Sequence, residues 1–115
     1  MSTAEIDLEQ FAEALGLKTQ MGREALRLAL ANVQLLDRKQ QDYGSGNIAE
    51  FGEIGVLVRA SDKVKRLQNL WKRGLVGNGL AGGSPQPQNE SVADSWQDLA
   101  NYGLIGQMVH HGLWR

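Results

Sequence analysis

DYGSGNIAEFGEIGVLVRASDKVKRLQNL, residues 42–70, decides how the chain is read. Its first part, Asp42 to Asn47, is a loop signal, because glycines this close together stop a helix. From Asn47 a helix starts again, with Glu50 in the N3 position of a capping box and no proline before Arg73. Gly52 and Gly55 interrupt it, each costing up to about 1 kcal/mol relative to Ala in an exposed helix, which suggests close approach by another helix or a ligand. On a helical wheel Arg59, Asp62, Lys63 and Arg66 share one narrow face, while Glu50 and Glu53 turn towards the side that carries Leu57, Val64 and Trp71.

Working outward, the segment before this stretch reads as two helices. Asp7 followed by Gln10 is a capping-box-like start, Leu8, Phe11, Ala12 and Leu15 fall on one face, and Gly16 ends the segment. A longer helix runs from Thr19 or Gln20 to just before Gly44, with Leu26, Ala29, Leu30, Val33 and Leu36 as its buried stripe. On the other side, residues 74–89 hold both prolines and many glycines and read as a long mobile connector. A last helix starts near Glu90, with Asn89 as a possible cap, and continues towards Met108; Val92, Trp96, Leu99 and Gly103 form its apolar side and Glu90, Asp94, Asp98 and Asn101 the other. The expected fold is all-α, a small bundle of about four helices in a single domain spanning 1–115, with its core in 7–73 and 90–109 and residues 1–6 as a loose end.

The bulk numbers fit one such domain: 115 residues, 42% hydrophobic. A net charge of −1 argues against a nucleic-acid partner, which usually meets a strongly basic surface. With no cysteine, disulfides and thiolate metal sites are excluded. There is no 18-residue apolar run and the start, MSTAEIDLEQ, is acidic, so no membrane partner is expected and the default location is cytoplasmic. No nucleophile and base of the Ser/His/Asp kind can be assembled, and the adjacent His110 and His111 near the end give no metal motif.

Two readings of the charged residues are open. In the first, Arg59, Asp62, Lys63 and Arg66 form a solvated face, Glu50 and Glu53 are ordinary helix-start residues, and Asp94 and Asp98 form an ion-pair ladder to Arg59, Lys63 and Arg66. In the second, Glu90, Asp94 and Asp98 are oxygen ligands of the kind that suit Mg²⁺ or Mn²⁺, and the neighbouring cations hold phosphate oxygens. An acidic ridge beside a basic ridge is the composition of a nucleotide-phosphate site. The GSGN loop can present backbone N–H groups to an anion, and Tyr43 can stack on a base or plug the bundle end.

Three blocks, KQQDYG (39–44), GVLVRASDKVKRLQNL (55–70) and ESVADSWQDLANY (90–102), resemble the phage and bacterial nucleotide-modification-associated domain family, type one. The matches cover roughly residues 35–105 and the middle block is the most specific. The resemblance implies a protein acting on nucleotides or their phosphates, and a host-cell cytoplasmic location if phage-encoded. The chain is also similar to the all-α nucleoside triphosphate pyrophosphatases of the MazG and dimeric dUTPase type. That similarity implies Mg²⁺ held by Glu50, Glu53, Glu90, Asp94 and Asp98, with Glu53, Asp94 and Asp98 as the catalytic carboxylates. Lys39, Tyr43, Asn47, Arg59, Asp62, Lys63 and Arg66 would hold the nucleotide, and water would attack the phosphoanhydride to give a monophosphate and pyrophosphate. The chain departs from that pattern in its second half, where the acidic residues are spaced by four. Arg59 also points about 120° away from Glu53 on one helix, a conflict that assembly as a homo-oligomer would remove. The alternative is a non-catalytic protein that sequesters a nucleotide signal used in host defence.

Overall fold

The computed structural model describes residues 7–74 and 91–115, and these are all-α, with no strand among them. The helices are α1 (Leu8–Ala14), α2 (Gln20–Tyr43), α3 (Gly46–Ala49), α4 (Gly52–Lys72) and α5 (Val92–His110). A small helical bundle is therefore the fold class, as the periodicity predicts. Residues 1–6, and the expected connector apart from Gly74, lie outside the described residues. Among the described residues no helix is long and apolar enough to cross a membrane. The chain divides into two compact units, Met1–Arg38 and Lys39–Arg115.

In the first unit, local chemistry sets the helix ends. The Asp7 carboxylate accepts a bond from the Gln10 N–H at 3.1 Å and opens α1. Gly16, at φ 75°, closes it in a Schellman motif: the Gly16 N–H donates to the Glu13 carbonyl at 2.9 Å and the Leu17 N–H to the Ala12 carbonyl at 3.0 Å. The Thr19 hydroxyl then accepts from the Gly22 N–H at 2.9 Å and starts α2. The stripe Leu26, Ala29, Leu30, Val33 and Leu36 is not buried as expected, since α2 contains no buried residue. Within its own unit α2 has only α1 beside it in sequence, and a 7-residue helix of about 10 Å cannot cover one of 24 residues and about 36 Å.

The second unit corrects the expectation of one helix from Asn47 to Arg73. The chain makes the short α3, turns at Phe51, and begins α4 at Gly52, whose φ of 63° only glycine adopts without strain. Glu50 is thus the C-cap of α3 and not the N3 residue of a capping box. Gly55 does admit a close neighbour, but that neighbour is Phe51: a Cβ at 55 would lie 2.9 Å from the Phe51 Cβ. The last helix starts at Val92, two residues later than the expected start. Ser91 is its cap, in a full capping box in which the Ser91 hydroxyl accepts from the Asp94 N–H at 3.0 Å and the Asp94 carboxylate from the Ser91 N–H at 3.2 Å.

Helices α4 and α5 pack antiparallel. Glu53 meets His110, Lys63 meets Asp98 and Arg66 meets Ser95, so one index rises as the other falls. Val56, Leu67 and Leu70 of α4 and Ile105 of α5 are the buried apolar residues of this seam, and a Cβ at Gly106 would touch Val56 at 3.8 Å. The buried faces differ from those expected. On α4 the covered arc is Val56, Leu67 and Leu70, while Leu57, Val64 and Trp71 stay exposed. On α5 the covered side is the one read as polar: Ser95 and Asn101 are buried and Trp96 is exposed. The tail is held as well, since the Trp114 indole N–H donates to the Ser45 carbonyl at 3.0 Å, leaving Leu113 exposed.

The turn between α3 and α4 gives the first prediction. Gly52→Ala forces an L side chain into left-handed backbone and should lower unfolding free energy by about 1–2 kcal/mol. Gly46→Ala, at a glycine with ordinary φ and open space around its Cβ position, should change it by no more than about 0.5 kcal/mol. Urea unfolding followed by circular dichroism compares the two.

Candidate functional site

One carboxylate sits at the centre of the polar seam. Asp98 Oδ2 lies 3.0 Å from Lys63 Nζ and Asp98 Oδ1 lies 3.3 Å from Lys39 Nζ. Lys39 comes from the C-terminal part of α2, Lys63 from the middle of α4 and Asp98 from α5, so one side chain ties three helices. The Asp98 and Lys63 side chains are only 16% and 22% exposed, against 53% for Lys39. The Lys63 pair is therefore less screened by water and the stronger of the two. One turn further along α4, the Arg66 Nε donates to the hydroxyl of the fully buried Ser95 at 3.0 Å. A guanidinium reaching a buried hydroxyl fixes the rotamers of both residues.

The opposite flank of the same ridge faces an open groove of about 470 Å³ between α3 and the start of α4. Its walls are Ile48, Phe51, Ile54, Gly55 and Val58, with Asn47, Arg59 and Asp62 supplying the polar groups. Apolar walls with a few polar groups at one side are the usual composition of a small-molecule site, and this volume lies within the usual range. Phe51 is 70% exposed, so its ring is available to a flat ligand.

The expected site residues thus fall into separate places. Lys39, Lys63, Arg66 and Asp98 come together at the seam, and Asn47, Arg59 and Asp62 at the groove. Tyr43 is 74% exposed at the end of α2. Glu53 pairs with His110 Nδ1 at 3.1 Å, both side chains exposed, and Asp94 serves as the N3 residue of the α5 capping box. Glu90 lies outside the described residues. Among the described residues no three His, Asp or Glu are grouped so as to hold a metal ion. Asp98 makes the expected ion pair with Lys63 of α4 and a further one, not expected, with Lys39 of α2.

Sequence reasoning missed Ser95 and the groove's apolar wall. Ser95 lies one turn before Asp98 on the same face of α5, a spacing that could have flagged it as a partner of α4. Phe51 gave no such signal, because its position follows from the turn at Gly52. No protein-family model, no curated protein and no solved structure matches the chain.

Neutralising the shared carboxylate gives the second prediction. Asp98→Asn keeps the shape but leaves two ammonium groups without their common counter-charge, and should cost about 1–3 kcal/mol of stability. In double-mutant cycles read by chemical denaturation, the coupling of Asp98 with Lys63 should exceed its coupling with Lys39 by about 1 kcal/mol.

Proposed function

We propose that the chain binds a nucleotide or a related phosphate compound in the groove between α3 and α4. The observation that carries this reading is that Arg59 and Asp62 line a groove whose other walls are apolar and include the exposed Phe51. A nucleotide joins a flat, largely apolar ring to an anion. The ring lies against Phe51, Ile54 and Val58, Arg59 donates a charge-assisted pair of bonds to a phosphate, and Asn47 and Asp62 select the hydrogen-bonding edge of the base or sugar. The three sequence blocks that resemble the nucleotide-modification-associated family support the same ligand class, and Arg59 and Asp62 belong to the most specific of them.

Binding is better supported than Mg²⁺-dependent hydrolysis. The carboxylates that the pyrophosphatase likeness assigns to Mg²⁺ are spread over different tasks among the described residues: Asp98 with two lysines, Glu53 with His110, Asp94 in a helix cap. On this reading a nucleotide held without turnover is a sequestered nucleotide, and the chain acts by withdrawing a signal.

Isothermal titration calorimetry with nucleoside mono-, di- and triphosphates, cyclic nucleotides and inorganic phosphate tests this third prediction. Arg59→Met should weaken binding of the best nucleotide at least about tenfold, the loss of one charge-assisted contact. Phe51→Ala should weaken it by a similar factor without changing the response to inorganic phosphate. Binding by no compound tighter than millimolar overturns the reading, and release of pyrophosphate from a triphosphate with Mg²⁺ replaces sequestration by hydrolysis.

A further inference from the structure

Helix α4 carries an apolar line that neither the core nor the groove uses. Leu57, Val64 and Trp71 recur every seven residues and are 61%, 40% and 65% exposed. A seven-residue interval keeps side chains on one line along a helix, the spacing that a partner helix reads. Together these three side chains expose roughly 350 Å² of apolar surface, the centre of an interface whose polar rim would supply the rest of the ~800 Å² per partner of a standard one. Ser61, Lys65 and Gln68 flank the line and supply that rim.

We infer that this face is where a second copy of the chain docks, α4 against α4, antiparallel across a two-fold axis near Val64. Charge points to this occupant. The first turn of α4 carries Glu53 and its last turn Lys72, so an antiparallel pair sets the acidic end of each helix beside the basic end of the other. The two helix dipoles oppose favourably in the same arrangement. Leu57 of each copy then packs near the partner's Trp71, and Val64 meets the partner's Val64, as an isologous contact requires. Glu53 keeps oxygen lone pairs for a cation beside its bond to His110. The groove residues Arg59 and Asp62 lie on another side of the helix, so pairing leaves them open and the inference stands apart from the proposed ligand.

The chain has no cysteine, which makes a direct test available. Val64→Cys, at a partly exposed position that folding does not depend on, should give a covalent dimer as the main product under mild oxidation or with a short bis-maleimide. Gln107→Cys, exposed on α5, should stay monomeric under the same treatment. Sedimentation equilibrium of the unmodified chain should give a dimer, and Val64→Glu should raise its dissociation constant about a hundredfold or more while leaving the helical circular dichroism unchanged. A monomeric mass at tens of micromolar overturns the inference. So does a dimer that persists in Val64→Glu, or cross-linking at Gln107 as efficient as at Val64.

Discussion

The sharing of Asp98 by Lys39 and Lys63 is the constraint on which the second unit depends. Among the described residues its apolar core is small, with Val56, Leu67, Leu70 and Ile105 as the buried hydrophobic residues. Apolar contacts are non-directional, and so few of them do little to distinguish one helix register from a neighbouring one. A carboxylate held at 3.0 and 3.3 Å by two ammonium groups from two other helices does distinguish them, because sliding α5 by one turn would break both of these directional contacts at once. Ion pairs of this kind add little net stability, since desolvation offsets the attraction. Their effect is on which arrangement is lowest, and the Arg66–Ser95 bond one turn away favours the same register.

What could be read from the sequence follows from the range over which each choice is made. The ends of α1 and the end of α2 before Gly44 depend on residues within one turn, and Asp7, Gly16 and Thr19 or Gln20 are where expected. The faces of α4 and α5 depend on what lies across the seam. Helix α4 has two apolar arcs, Val56–Leu67–Leu70 and Leu57–Val64–Trp71, and periodicity alone cannot say which is covered. On α5 the rule that apolar sides face inward holds for Ile105 but not for the rest of the seam, which takes in Ser95 and Asp98, each paired with a residue of α4, and the buried Asn101. The basic ridge was legible as a group of residues. Its division between a groove and a seam was not, since that needed the turn at Gly52 and the position of α3.

That division matters for the proposed site. Successive residues of a helix are turned by 100°, so Asp62 and Lys63, neighbours in sequence, serve different surfaces: the groove and the ion pair with Asp98. Arg59 and Arg66 lie two turns apart and do the same. The groove wall is therefore braced from behind by charged contacts, and its polar residues are held on a regular helix instead of a loop. A site so built meets a ligand with little ordering left to do, which favours affinity over induced closure.

Helix α4 consequently has three separate tasks around one axis. The buried arc holds α5, the ridge with Arg59 and Asp62 borders the groove, and the line of Leu57, Val64 and Trp71 faces outward. The buried arc lies about 80–90° from each of the other two, and the ridge and the outer line are turned nearly opposite one another. The approach of Phe51 accounts for the glycine at 55. A Cβ there would lie 2.9 Å from the Phe51 Cβ, so any larger residue would displace Phe51 from the groove wall. The chemistry of the groove, the register of the seam and the accessibility of the outer face are thus set by the same helix, and a change that turns α4 alters all three.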